Sequence, residues 1–421
     1  MIEWSEADLA VRDAVRDFIE KEIRPHVDLL ETGQMPPYDI VRKLFAAFGI
    51  DAMAAEALKK QLEREREPRD PEQKSSGGVG GLAGGGMESM VPVVVSEIAG
   101  VSLGVVGAVG VSLGLGAGTI MAKGTLAQKE RWLPKLVTFE HVAAWAITEP
   151  ESGSDAFGGM KTTVKRDGDD YILKGRKTFI TNGPDADVIV VYAKLDEGDP
   201  STSSGQATDL RDKKVLTFVL ERGMPGLIQS KPFKKMGMMS SPTGELTFDG
   251  IRLTKDHLLG ETEDTAATGD GRESARSNFV VERIGVAAIS LGIINECLRL
   301  CTEYAKSREL WGKPIGDFQL IQLKLAKMEV ARINVQNMVF RTLEMARAGK
   351  TPTLGEASAM KWYSSEAATE VAMEAVQLFG GNGYMAEYRV EQLARDAKSM
   401  MIYAGSNEIQ ITHVAKEMLR G

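Results

Sequence analysis

From position 5 to about 30, apolar residues recur at helical spacing: Leu9, Val11, Val15, Phe18, Ile19 and Ile23. With Ser5 placed to cap the start, the stretch reads as an amphipathic helix. Val41 to Met53 reads as a second. The pattern then breaks. The charged run Lys59 to Glu67 leads into Pro68, Pro71 and the glycine-rich Gly77 to Gly86, and a segment with so little to bury (58–86) reads as a mobile surface insert. From Ile98 to Ala122 no residue is charged, which by length alone qualifies as a membrane span. The run is rich in Gly and Ser, however, and is bounded by Glu97 and Lys123. Two buried helices in glycine-mediated contact are expected, with no membrane span.

From about 142 to 255 short strand-like runs take over: Tyr171-Ile172-Leu173, Thr178 to Thr181, Val188 to Tyr192 and Val215 to Leu220. Asp167-Gly168 and Asn182-Gly183 supply turns between them, and 196–212 reads as a loose loop. Beyond Asn278 the helical period returns, over 280–306, 317–348, 354–379 and 407–419. The order predicts a mainly α chain with a central β domain: helices over 1–141, strands over 142–257 and a helical bundle over 270–421. Ligand sites favour junctions between such domains.

Composition narrows this picture. At 421 residues and 43% hydrophobic content the chain exceeds what one core organises, so two or three domains are expected. A net charge of -8 and a pI near 5.4 leave no basic footprint for nucleic acid. Cys297 and Cys301 share a helix face with no histidine nearby, giving neither a disulfide framework nor a metal site. The N-terminus is acidic and amphipathic, unlike a secretory signal, and a reducing cytoplasm is expected. Gly78-Val79-Gly80-Gly81 imitates a dinucleotide fingerprint but follows a charged linker, where that fingerprint has no meaning.

Three motifs carry chemistry: Ala146-Ile147-Thr148-Glu149-Pro150-Glu151-Ser152-Gly153-Ser154-Asp155, Arg308 to Gln319, and Gln377-Leu378-Phe379-Gly380-Gly381-Asn382-Gly383-Tyr384 continuing through Arg395-Asp396-Ala397-Lys398 to Ala404-Gly405-Ser406-Asn407-Glu408. In this order they resemble the acyl-CoA dehydrogenases. That resemblance implies an N-terminal α-helical domain, a β-barrel-like middle domain and a C-terminal four-helix bundle around FAD. It places Trp145, Ile147 and Thr148 along the isoalloxazine, Phe179 to Thr181 at its other edge, and Ser154 toward cofactor or the phosphate and pantetheine of acyl-CoA. Arg308, Trp311, Gln319 and the turn Gln377, Phe379, Gly380, Gly381 would bind the FAD of a neighbouring subunit, making the active chain a homodimer or homotetramer. Ser406 and Glu408 would lie near the flavin arm. The pattern departs at Arg389, where proline is usual, and at Gln392, where a basic residue is usual.

Many members of the family hold their catalytic glutamate where this chain has Ala404. Alignment of the run from Arg283 to Gly292 places Glu282 where isovaleryl- and long-chain-type members hold their base instead. An α-proton beside a thioester is weakly acidic, so its removal requires a base of raised pKa and donors at the carbonyl oxygen. The resemblance assigns those donors to a ribityl hydroxyl and the backbone N–H at 404, which alanine keeps. Ala404 and Gly405 would thus touch substrate, and Arg283 would steer its CoA or order the helix. The implied activity is oxidation of an acyl-CoA to trans-2-enoyl-CoA, with electrons passed to an electron-transferring flavoprotein. An acyl-CoA oxidase, or a non-catalytic FAD- or acyl-CoA-binding subunit of a heteromer, is the alternative.

Overall fold

The computed structural model describes residues 3–67, 89–197, 211, 213–264 and 271–420. Helix α1 (Glu6–Phe18) starts at the Ser5 cap, whose hydroxyl and backbone exchange bonds with Asp8. It continues through a π turn (Ile19–Ile23) and a 3-10 turn containing Pro25 into α2 (Val27–Glu31). What the spacing predicts as one helix over 41–53 is two, α3 (Tyr38–Phe48) and α4 (Ile50–Arg66), because Gly49 between them takes a left-handed conformation with φ 62°.

Helix α4 also corrects the expected start of the insert. Residues 58–66 are helical, and the charged run conceals an apolar pair: Leu58 and Leu62, one turn apart, are buried against a core that includes Trp132 and Leu133. Lys129 pairs with Glu65 at 2.7 Å and Arg66 with Glu130 at 2.6 Å. The glycine-rich part of the insert and most of the 196–212 loop lie outside the described residues.

The uncharged run takes in the last residues of α5 (Met90–Ala99) and a continuous helix made of α6 (Leu103–Val109), a π segment (Gly110–Ala117) and α7 (Gly118–Lys123). Leu103–Lys123 and the later Asn278–Ser307 both have the length and hydropathy of a span, yet most of each apolar window is buried inside the protein. Most of the run is one helix rather than the expected two, and its close glycine contacts are to elements outside it: a Cβ on Gly100 would stand 2.9 Å from the Gly292 carbonyl oxygen and one on Gly104 2.6 Å from Ser241 N. A Cβ on Gly292 would stand 2.1 Å from the Ser96 carbonyl oxygen, so only glycine allows α5 to lie so close to the helix that follows the β domain.

After α8 (Leu126–Val137) come seven strands of one mixed sheet: β1 (Ala143–Ala146), β2 (Thr163–Asp167), β3 (Asp170–Thr181), β4 (Val188–Leu195), β5 (Val215–Glu221), β6 (Leu227–Gln229) and β7 (Thr243–Leu253). The order is β1-β4-β2-β3-β7-β6, with β5 also on β4; β1 and β2 run parallel to β4. Strand β4 is buried at every position. Val188, Val190 and Tyr192 join the core beneath the helices, whereas Ile189, Val191, Ala193 and Leu195 join one within the β domain.

The C-terminal helices are α9 (Gly271–Ser307), α10 (Gln319–Arg347), α11 (Leu354–Phe379), α12 (Val390–Met400) and α13 (Asn407–Arg420). A two-stranded turn, β8 (Glu309–Leu310) with β9 (Lys313–Pro314), joins α9 to α10. One apolar core unites α9 to α12 with α1 to α3, α5 and α6, and Cys297 and Cys301 are small, fully buried members of it.

Candidate active site

At the mouth of the bundle the chain between α12 and α13 turns through two successive left-handed residues, Ala404 at φ 57° and Gly405 at φ 83°. The positive φ favours glycine at 405, and a Cβ there would also meet Gln410 Nε2 at 2.8 Å. Left-handed alanine is strained and persists only where the surroundings impose it. Three side chains do so. Gln410 Nε2 donates to the carbonyls of Ala404 at 3.0 Å and Gly405 at 2.7 Å, Lys361 Nζ donates to that of Gly405 at 2.9 Å, and Arg283 Nε approaches that of Ala404 at 3.5 Å. The Ala404 N–H itself has no acceptor among the described residues. A donor held this way and left unused suits a developing oxyanion.

Glu282 stands on α9 immediately before Arg283. It is half-buried and makes no hydrogen bond or ion pair among the described residues. Burial pushes its carboxyl up to about 7 against the opposing charges of Arg283 and Lys361, and its own charge in turn acts on Tyr403, beside Ala404. Glu282 is linked to the turn through its neighbour Arg283, which approaches the Ala404 carbonyl, and proton abstraction next to a carbonyl requires both a carboxylate poised near neutrality and a donor of this kind.

Arg283 does not reach out toward a ligand. It is 3% exposed, and its Nη1 lies 3.1 Å from Ser358 Oγ and 3.2 Å from His413 Nδ1. Because a guanidinium only donates, His413 accepts through Nδ1; burial and the charge of Arg283 lower its pKa. Of the two expectations for Arg283, ordering the helix fits this geometry and steering CoA does not.

The β domain approaches from the other side. Thr178 N donates to the Thr148 carbonyl at 2.9 Å, joining the first motif to the bulge that interrupts β3 between Lys177 and Ile180. Phe179 occupies that bulge in a left-handed conformation, its ring 68% exposed and edge-on to Phe233. A strained residue that presents a bare aromatic ring fits a flat cofactor better than a core. Thr148 and Thr181 are partly exposed, Ser154 is exposed, and nothing lies within 4 Å of a Cβ built on Gly153. Trp145 and Ile147, by contrast, turn into the core, where the Trp145 ring packs edge-on against Tyr192 and against Phe279 of α9. What these two can offer a ligand is backbone.

A second cluster forms at the far end of α9. The Tyr304 ring stacks on Phe379 with centroids 4.0 Å apart, and its hydroxyl accepts from Asn382 Nδ2 at 3.0 Å, which fixes the glycine turn beside Arg308. Arg308, Trp311, Gln319, Gln377, Gly380 and Gly381 are all exposed there, and Cβ atoms built on Gly380 and Gly381 meet nothing. Phe379 is buried by its stack, so its ring is structural. The 25 helical positions from Glu282 to Ser307 separate the two clusters by about 37 Å. Ser406, partly exposed, and Glu408, exposed, belong to the first.

Sequence reading alone missed Lys361, Gln410, Ser358, His413 and the buried pair formed by Lys177 and Glu149. One signal was available for Lys361: it is the sole cation on a small-residue face formed by Ala357, Ser364 and Ala368.

An acid of raised pKa on α9, a turn with a spare N–H and an exposed aromatic ring on the β domain are the parts that a flavin-dependent oxidoreductase acting on a CH–CH bond would use. Comparison with known proteins narrows this. Residues 75–140, 144–251 and 269–419 match the acyl-CoA dehydrogenase N-terminal, middle and C-terminal domains. An acyl-CoA dehydrogenase of Bacillus subtilis (strain 168) is 34% identical over 98% of this chain and 97% of its own length. The mitochondrial isovaleryl-CoA dehydrogenase of Arabidopsis thaliana is 32% identical over 99% of this chain and 92% of its own. The butyryl-CoA dehydrogenase structure from Megasphaera elsdenii superposes with a TM-score of 0.81 at 31% identity, covering 100% of both chains. The chain belongs to the acyl-CoA dehydrogenase family, whose members are FAD flavoproteins.

Proposed function

We propose that the chain oxidises an acyl-CoA thioester to the trans-2-enoyl-CoA with Glu282 as the base that takes the α-proton. The observation that carries this reading is the Glu282 carboxyl, pushed up to about 7 and without a partner among the described residues, next in sequence to the Arg283 that approaches the turn whose Ala404 N–H likewise has no acceptor among them. The thioester oxygen sits on that N–H, and the glycine at 405 lets the substrate pass close to backbone. Thr148, Ser154, Phe179, Thr181, Ser406 and Glu408 hold the flavin end of FAD with the backbone of Trp145 and Ile147, and bound FAD supplies the acceptor for the β-hydride. Ala404 removes the carboxylate from one place without removing the oxyanion donor, so the base has moved helix and the activity persists.

The second cluster, about 37 Å along α9 from Glu282, serves the FAD of a neighbouring subunit in a homodimer or homotetramer. Electrons leave to an electron-transferring flavoprotein. The test is anaerobic mixing of the FAD-loaded protein with a panel of straight, branched and ring-bearing acyl-CoAs. Reductive bleaching in the native chain, with no bleaching and normal flavin content in Glu282→Gln, is expected. Bleaching at the native rate in that variant removes Glu282 from the mechanism.

A further inference from the structure

Lys361 lies in the first third of α11 with 0% of its surface exposed. An unexposed ammonium is costly unless it is fully bonded and paired. Its Nζ donates to the Gly405 carbonyl at 2.9 Å and to Asn407 Oδ1 at 2.8 Å, and that same oxygen accepts from Ser365 Oγ at 3.2 Å. Asn407 is the first residue of α13. One side chain therefore fastens both ends of the short segment that carries the strained Ala404–Gly405 turn to the following helix.

Charge complements the hydrogen bonds. The groups facing Lys361 are Glu282 and Arg283 from α9, Glu408 from α13 and Glu366 from its own helix. Those acting on Glu282 are Arg283 and Lys361. The Arg283 guanidinium is engaged with Ser358 and His413, which leaves Lys361 as a second, titratable cation beside the carboxylate.

We propose that Lys361 is a positioning residue for α-proton removal: it holds the Ala404–Gly405 turn in its left-handed form and supplies a cation that favours the ionised form of the half-buried Glu282. The proposal rests on Glu282 being the base. Its consequence is a coupled titration. Burial lowers the Lys361 ammonium to about 8 even beside Glu282, so it loses its proton not far above the pH at which Glu282 gains its charge. Once Lys361 is neutral, the carboxylate loses its supporting cation and the turn loses its charged donor.

The experiment is the single-turnover rate of flavin bleaching against pH, together with flavin content, in the native chain, Glu282→Gln, Lys361→Gln and Lys361→Arg. The native rate is expected to rise through about pH 7 and to fall above about pH 8. Lys361→Gln keeps a donor for the Gly405 carbonyl but no charge, and its acid limb should move up by about one pH unit. Lys361→Arg keeps the charge, and its acid limb should stay in place while the alkaline limb disappears, because a guanidinium does not titrate in this range. A merely structural lysine would lower the rate without moving either limb.

An unmoved acid limb in Lys361→Gln overturns the proposal while leaving the base reading intact, provided Glu282→Gln remains inactive. Where neither lysine variant holds FAD, the native profile decides: a rate that stays flat above pH 8 overturns the proposal. Native bleaching in Glu282→Gln overturns both.

Discussion

Lys177 Nζ lies 2.9 Å from Glu149 Oε1 in a buried ion pair beneath the Ile147–Thr148 segment. The same ammonium donates to the Ile147 carbonyl at 2.9 Å, while Glu149 also accepts from Lys161 N at 2.6 Å and Thr162 N at 2.9 Å. Burial lowers Lys177 to about 8 even with its partner beside it. For Glu149, burial is outweighed by the charge of Lys177 and the two backbone donors, and its pKa falls below the ordinary value. The contrast follows from the extra donors, and both groups are charged at neutral pH. Lys177→Met leaves a buried carboxylate without its cation, a change that typically costs about 3–5 kcal/mol. Urea denaturation at pH 7 should show a loss of that order, accompanied by weaker FAD retention. Adding Glu149→Gln should recover part of the stability, and a double variant no better than the single one would argue against the pair.

A second buried cluster sits where α2, the approach to β7 and α12 meet. Glu31 Oε1 accepts from Ser102 Oγ at 3.0 Å while its Oε2 has no partner among the described residues, and Asp396 accepts from Met238 N. Burial, and then the charge of Asp396, raise Glu31 from 4.5 to about 7; burial raises Asp396 as well. Between 4.5 and about 7 the folded chain therefore binds more protons than the unfolded chain, and this cluster's contribution to stability falls as pH rises through that window. Glu31→Gln should flatten the dependence. Relative to the native chain it should gain about 1–2 kcal/mol on passing from pH 5 to pH 8, as measured by denaturant titration. Parallel pH–stability curves for the two proteins would remove Glu31 as the source.

How much of this the sequence disclosed depended on whether partners lie close along the chain. The elements around Phe179, Glu282 and Ala404 were legible because their signals are local: a motif, a run, a missing acid. Lys361, Gln410 and Lys177 belong to no motif that marks their partners, and Lys361 meets Gly405 across 44 positions that no periodicity connects. The α4 run misled in the opposite direction, since its charges outnumber the two leucines that anchor it. Trp145 shows the effect of strand alternation: Ala144 and Ala146 face the β core, which sends the indole between them toward the helices.

Relocation of the base should be reversible. Ala404 already has φ 57°, so a longer L side chain there adds little backbone strain beyond what the turn now bears. Glu282→Gly abolishes bleaching in the mechanism above. Adding Ala404→Glu should restore it at least about tenfold over the single variant, since a general base typically contributes about 10²–10⁴-fold and an imperfectly placed one recovers only part of that. Stopped-flow bleaching with the best acyl-CoA of the panel reads this out. A double variant as inert as the single one, with normal flavin content, would mean that the 404 position no longer faces the α-carbon.

The remaining prediction concerns self-association. Leu320, Leu323 and Val330 are exposed on α10, close in sequence to the exposed Trp311, while Tyr384 and Met385 are exposed beside the glycine turn. Large apolar side chains left bare in such numbers mark an interaction surface. If that surface joins subunits and brings Arg308 and Gln377 to a neighbour's FAD, the two losses are linked: Leu320→Glu with Leu323→Glu should shift the protein toward monomer and, with it, weaken FAD binding at least about tenfold, although neither leucine lies near Glu282. Light scattering coupled to size exclusion gives the first measurement and flavin absorbance after dialysis the second. A monomeric variant that keeps its FAD would show that one chain holds the cofactor alone, and an unchanged oligomer would place the subunit contact elsewhere.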